Sequence, residues 1–425
     1  MKRDPIVLGE NYILSGDDVG VTRPNANALI VGTTGCGKST SVVLPTLARS
    51  EYSNPVLSYA KEADAYQMAA FLESKGYAVN ILNISNPQKS TVSFDPVLPI
   101  ESDEEIDALA AVIVHAALSN TVDDYWNAKA KPLLSSLIAA ARMMADADAK
   151  PGMADVFELF GRLLPEENGS SVSTSLDDMF KIIGDVAPRC YAVEEYNAWH
   201  SLPYRTASCV RDTLAAALST VFPKAIRDMM QSKSKPQLNI QRFCERKEAL
   251  VLITNAIDRS QHFYANLFLR DLTHQLLKLA VDCPNGELPR EIRFIYDDMA
   301  CSCRVEGLEH DLSLYRSAGL SAIMLLQSES QLEKNYTADG AAIIRQNCAV
   351  YAYFPGGFDD RSCEIVSKRM NIPYEDVLYG PLGSVYVMQS GRRPASVRRY
   401  DTLNSAEYFN YIGIVNKLGK RPNAR

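Results

Sequence analysis

The segment Gly32-Thr33-Thr34-Gly35-Cys36-Gly37-Lys38-Ser39 fits G-x-x-x-x-G-K-[ST], the pattern of a phosphate-binding loop, and constrains the fold more than any other stretch. Its flanks agree with it. Ala28-Leu29-Ile30-Val31 is a short apolar run suited to a buried parallel strand, and Ser39 to Ala48 reads as the opening of a helix. Glycines let backbone N–H groups wrap phosphates without Cβ clashes, and the helix N-terminus adds partial positive charge. Lys38 is placed for the β- and γ-phosphates and the Ser39 hydroxyl for Mg²⁺. The expected nucleotide contacts are therefore Gly32, Thr33, Thr34, Gly35, Cys36, Gly37, Lys38, Ser39 and the adjoining Thr40, with ATP and Mg²⁺ as the expected ligands.

Apolar runs alternate with helical patterns along the chain, the mark of an α/β core with a mainly parallel sheet. Candidate strands are Ala28–Val31, Pro55–Tyr59, Ala78–Leu82, Ala249–Thr254, Ile292–Asp297, Ser321–Leu326, Ala349–Phe354 and Ser384–Met388. Between Glu101 and Lys247 the strand signals vanish and Ala-, Leu- and Met-rich helical patterns take over, such as Glu104–Ser119 and Ala128–Ala147. Glu101, Asp103, Glu104, Glu105 and Asp107 crowd the first turn there, where carboxylates favour a helix N-terminus. The expected organisation is a nucleotide-binding domain in two parts, 1–100 and 248–425, with an all-α domain inserted at 101–247. Glu166 to Ser171 reads as an exposed loop within that insert.

With 425 residues, 47% of them hydrophobic, the chain can bury sizeable cores. A formal charge of −7 means that a polyanion must meet a local basic surface rather than the field of the whole chain. No apolar run approaches 18 residues, so no spanning helix is expected, and Met1-Lys2-Arg3-Asp4-Pro5 does not open a signal peptide. Nine scattered cysteines suit reduced thiols in a cytoplasm. Cys301-Ser302-Cys303 is the only close pair and lacks further ligands at zinc spacing.

Ile292-Arg293-Phe294-Ile295-Tyr296-Asp297-Asp298 is an apolar run ending in two acids, the form of a Walker B strand. Asp297 would hold Mg²⁺ through water, and Asp298 would polarise the attacking water. Gln327 ends the next strand, either sensing the γ-phosphate or serving as an ordinary strand-end glutamine. Arg316, near the end of the helical stretch Leu308 to Ser317, suits an arginine finger reaching a neighbouring subunit or a solvated helix-end cation. Pro45 should kink the helix after the phosphate loop.

In these landmarks the chain resembles the type IV coupling proteins, the TraG/TraD class of conjugative DNA-transfer ATPases, from about Leu29 to Arg399. The matching residues are Gly35-Cys36-Gly37-Lys38-Ser39 with Leu44-Pro45, Lys61 after the second strand, and Phe94-Asp95-Pro96. Asp124-Tyr125-Trp126-Asn127, Asp297-Asp298 and Leu325-Leu326-Gln327-Ser328-Glu329-Ser330-Gln331-Leu332 complete the set. The resemblance implies a RecA-like motor domain with an all-α domain. It also implies a homo-hexamer on DNA, relaxosome and type IV secretion channel partners, and a site at the inner face of the cell membrane. Membrane association would then come through a partner or N-terminal helices that this sequence lacks. By carry-over, Lys38 and Ser39 bind phosphate and Mg²⁺, Asp297 and Asp298 serve metal and water, Gln327 senses the γ-phosphate, and Arg316 resembles the finger.

Two departures stand out. The family usually has Glu where this chain has Asp298, and its typical Asp-Pro-Lys-Gly-Glu loop appears as Tyr59-Ala60-Lys61-Glu62-Ala63, which keeps only the lysine. The shorter Asp298 leaves open a non-motor reading, an ATP-binding adaptor recruiting relaxase or effector proteins; a small-molecule kinase fits the length and insert less well. From Lys224 to Lys247, seven basic residues face two acids, and Arg392, Arg393, Arg398 and Arg399 form a second cluster. Each suits either a DNA-backbone track or solvated surface charge.

Overall fold

The computed structural model describes residues 2–14, 25–118, 124–145, 150–168, 171–257, 261–299, 304–357 and 359–419. In chain order the strands are β1 (Ile6–Gly9), β2 (Tyr12–Leu14), β3 (Ala28–Gly32), β4 (Ser53–Tyr59), β5 (Ala78–Asn83), β6 (Glu166–Asn168) and β7 (Ser171–Ser173). They continue with β8 (Glu248–Ile253), β9 (Glu291–Tyr296), β10 (Leu320–Leu326), β11 (Val350–Phe354), β12 (Ser384–Gln389) and β13 (Ala395–Arg398). The chain packs as two units, Met1–Thr91 with Leu238–Arg425, and Val92–Gln237.

The first unit holds a nine-stranded sheet in the order β13-β12-β11-β3-β10-β9-β4-β8-β5. The seven strands from β11 to β5 run parallel. β12 and β13 extend the β11 edge antiparallel. All eight expected strands are present, their ends shifted by one or two residues. β3, β4, β8, β9, β10 and β11 are buried throughout, which is why apolar residues dominate them without alternation, although β4, β8 and β9 also bury polar or charged side chains such as Asn54, Glu248 and Arg293. On one face, Ile30, Leu57, Val251, Ile295, Ile323 and Ala352 pack with Leu47, Phe71 and Leu72 of the covering helices.

The N-terminal segment is locked to this sheet. The guanidinium of Arg293, fully buried on β9, donates to the carbonyl of Asp4 at 2.7 Å and to Glu291 at 3.0 Å. The Asp4 carboxylate accepts from Ser53 N at 2.7 Å and Tyr52 N at 3.0 Å.

After the phosphate loop, Ser39–Val43 forms a wide turn with a five-residue hydrogen bond, Leu44 N to Ser39 O, before an α-helix at Leu44–Ala48. Pro45 therefore lies at the start of the α segment rather than kinking its interior. It has no N–H for the Ser41 carbonyl and its ring crowds that group, so the preceding turn widens.

The second unit carries helices Asp103–Leu118, Asp124–Met144, Met153–Arg162, Asp177–Val186, Tyr191–His200, Tyr204–Val221 and Lys224–Met230. It is not wholly helical. The segment expected as an exposed loop pairs β6 with β7 in an antiparallel hairpin. Phe180 stacks on Tyr196 with ring centroids 3.7 Å apart, and the buried Trp199 donates its indole N–H to Ala207 O at 3.2 Å.

The unit's ends fall at 92 and 237 rather than at 101 and 247. Ser93 N donates to Pro236 O at 2.9 Å, joining entry and exit. The buried Asp95 carboxylate accepts from Met153 N at 2.8 Å, fastening the entry segment, and burial raises its pKa above the usual carboxylate range. Residues 240–245 instead form a helix in the first unit, where the Asn54 amide donates to Arg246 O at 2.6 Å. Among the described residues no helix is long and apolar enough to cross a membrane.

Candidate functional site

β3, β10 and β9 lie side by side and parallel, so their C-terminal ends share one sheet edge. Leu326 stands opposite Val31, and Met324 opposite Tyr296. That register brings Gln327 and the Asp297-Asp298 pair out beside the phosphate loop.

The loop turns through Cys36 N to Thr33 O at 3.3 Å, with Gly35 and Gly37 at φ +82° and +90°, angles that favour glycine. Lys38 Nζ donates to the carbonyl of Gly32 and, at 3.0 Å, to that of Thr33. Thr40 Oγ1 donates to Gly37 O at 3.0 Å. The Ser39 hydroxyl donates to Asp297 Oδ1 at 2.7 Å, linking residues 258 apart in sequence. Burial raises the Asp297 pKa, the Ser39 hydrogen bond opposes that, and the neighbouring Asp298 charge adds to it.

Asp298 turns away from its neighbour, with a left-handed backbone at φ +56°. Its Oδ2 accepts from the Gln327 amide at 2.9 Å, while its Oδ1 is buried without a hydrogen-bond partner among the described residues. Gln327 is held in turn by Gln331. Gln331 Nε2 donates to Gln327 Oε1 at 3.3 Å, and Gln327 N donates to Gln331 Oε1 at 3.2 Å. Ser328 caps the helix Glu329–Gln346 that carries Gln331, accepting from Gln331 N. An unsatisfied buried carboxylate oxygen, a hydroxyl and a second carboxylate beside a loop of backbone donors fit a metal–triphosphate ligand.

Sequence reasoning missed three contributors. Arg399 Nη1 donates to Cys36 O at 2.8 Å, so a residue of the second basic cluster braces the phosphate loop. Thr402 Oγ1 donates to Thr40 O at 2.6 Å. Gly357 passes so close to the loop that a Cβ there would lie 1.9 Å from Thr33 Cγ2. The Pro355-Gly356-Gly357 run directly after a strand was the available signal for this approach.

Arg316 is the one expected catalytic residue not gathered here. It lies in the last turn of the helix Leu308–Ala318, before β10, and its side chain is exposed. The length of β10, roughly 20 Å at strand rise, separates it from Gln327 at the other end.

The first basic cluster divides between the two units, Lys224 to Lys235 in the second and Arg242 to Lys247 in the first. Lys224 pairs with Asp228 at 2.6 Å, Arg242 with Glu248 at 2.8 Å, and Lys247 donates to Lys75 O at 2.8 Å. Arg398 lies 3.7 Å from Glu10. Lys61 precedes the helix Glu62–Ser74 at its N-cap position. Cys301 and Cys303 lie outside the described residues.

The family described as type IV secretory system conjugative DNA transfer matches residues 2–370. No curated protein matches the chain. Among solved structures, the bacterial conjugative coupling protein TrwB, as TrwBdeltaN70 with sulphate, is similar at TM-score 0.59 and 16% identity. That match covers 88% of this chain and 85% of that one. TrwB in complex with the non-hydrolysable ATP analogue ADPNP is similar at TM-score 0.58 and 16% identity, over the same shares. VirB4 of Thermoanaerobacter pseudethanolicus is similar at TM-score 0.55 and 11% identity, covering 97% of this chain and 99% of that one.

Proposed function

The chain belongs to the type IV secretory system conjugative DNA transfer family, and we propose that it is an ATP-hydrolysing coupling protein that drives DNA, alone or with bound protein, into a secretion channel. The observation that carries this reading is the meeting of Ser39 and Asp297 at 2.7 Å, beside an Asp298 braced by Gln327. TrwB structures with ADPNP, and with ADP and Mg²⁺, support ATP and Mg²⁺ as the ligands.

In this reading the loop N–H groups and Lys38 hold the phosphates, and Ser39 and Asp297 hold the metal. Mg²⁺ held there would supply positive charge against that of the phosphates. Asp298 accepts the proton of the attacking water through its unpartnered Oδ1, while Gln327 fixes its other oxygen. Arg316 acts in trans, completing a neighbour's site in a ring of six copies at the inner face of the membrane. DNA, relaxosome and channel proteins are the proposed partners.

The test is phosphate release by the full chain with and without DNA. Turnover that rises with DNA supports the motor. Tight ATP binding with no turnover in either condition favours the adaptor reading, which the shorter Asp298 side chain keeps in play.

A further inference from the structure

The loop that leaves β11 reaches two parts of the site. Gly357, buried within it, lies against Thr33 of the phosphate loop, and Gly356 before it holds φ +113°, an angle that favours glycine. Two residues beyond that contact comes Asp359, the N-cap of the helix Asp360–Met370. Its carboxylate accepts from Ser362 N at 3.2 Å and from the Ser362 hydroxyl. The same carboxylate serves a second helix. Its Oδ2 accepts from Glu329 N at 3.3 Å and its Oδ1 from the Ser330 hydroxyl at 3.3 Å, both in the first turn of the helix Glu329–Gln346. The Ser362 hydroxyl also accepts from Glu329 N, at 3.0 Å. That turn is fixed from a further side, because Glu329 is fully buried and paired with Arg345 at 2.6 Å.

We propose that Asp359 is a positioning residue for hydrolysis, coupling the seat of the phosphate loop to the orientation of Asp298. The inference rests on the reading of Asp298 as the general base. From Asp359 the path is continuous: Glu329 and Ser330 open the turn whose next residue, Gln331, holds Gln327, and Gln327 holds Asp298 at 2.9 Å. At its other end the path closes through the contact of Gly357 with Thr33. One carboxylate on two helix N-termini is favourable at both, since each presents unpaired N–H groups and partial positive charge. The double cap makes the loop after β11 and the start of the Gln331 helix a single piece. It needs two accepting oxygens. An amide offers one, so Asn would keep part of the bridge and lose the rest.

Phosphate release by the full chain, with ATP titrated, tests the assignment. Asp359→Ala is expected to lower kcat about 10- to 100-fold, the scale of a displaced catalytic group, with KM for ATP within about threefold of the wild type. Asp359→Asn is expected to fall between the two. The deciding comparison is a double-mutant cycle. In a Gln331→Ala background, Asp359→Ala is expected to lower kcat no further, because both act through Gln327. A cap of purely structural value would lower the melting temperature and leave kcat of the folded chain unchanged. Unchanged kcat in Asp359→Ala, a loss confined to KM, or losses that multiply in the double variant overturn the assignment alone. Should Asp359→Ala not fold, Asp359→Asn enters the same cycle with the same criteria. Absence of turnover by the wild-type chain, or full turnover by Asp298→Asn, overturns the general-base reading and this inference with it.

Discussion

Asp297 and Asp298 are chemically identical and adjacent, yet they face different partners because the backbone reverses between them. Asp297 follows the strand toward Ser39, whereas Asp298, at φ +56°, is turned to Gln327. Their substitutions should therefore separate binding from chemistry. Asp298→Asn is expected to keep ATP affinity within about threefold and to lower turnover by roughly 10² to 10⁴, the usual span of a lost general base. Equilibrium titration beside a phosphate-release assay reads both. Asp298→Glu, which carries the carboxylate one bond further, is expected to retain hydrolysis at least at the wild-type rate. The loop, the two acids and Gln327 were legible in the sequence because each sits at the end of an apolar run. Gln331 was not, since its i+4 spacing acquires meaning only once Ser328 starts a helix directly after the strand. Arg399 was legible as charge but not as place; it reaches a loop 363 positions away only through the β12–β13 return.

Strands buried on both faces announce themselves, and six of the eight expected strands, β3, β4, β8, β9, β10 and β11, are buried throughout. β13 alternates half-buried with exposed residues, and the apolar stretches of β1 and β2, Ile6-Val7-Leu8 and Tyr12-Ile13-Leu14, are only three residues long. β6 is exposed throughout and paired only locally, which made its hairpin read as a loop. The loop after β11 is an element whose value lies in closeness. Gly357→Ala would set a methyl 1.9 Å from Thr33 Cγ2, so the Thr33 side chain or the loop that carries it must shift. The variant is expected to fold with a melting temperature near that of the wild type and to bind ATP at least tenfold more weakly. Calorimetry paired with a binding titration checks the two halves of that statement. The Arg293 lock makes the opposite prediction. Arg293→Ala strands Glu291 in the core without its cation and is expected to cost about 3–5 kcal/mol in denaturant unfolding.

At the scale of the whole molecule, the distance of Arg316 from its own site has a consequence. Within one copy it stands at the far end of β10 from Gln327, so a catalytic role requires a neighbour. Activity per copy is then expected to rise with protein concentration, and Arg316→Ala is expected to abolish that rise while sparing ATP binding. Sedimentation run alongside the assay ties the rise to assembly. Lys224, Arg242 and Lys247 are engaged by neighbours, and the basic run from Lys224 to Lys247 divides between the two units. The claim beneath all of this is that loop and acids serve one metal–triphosphate. A crystal structure with Mg²⁺ and ADPNP tests it most directly. The account expects the metal about 2.1 Å from Ser39 Oγ, with Asp297 joined to it through water and the phosphates on Lys38. A nucleotide seated elsewhere, or a metal out of reach of both Ser39 and Asp297, would contradict it.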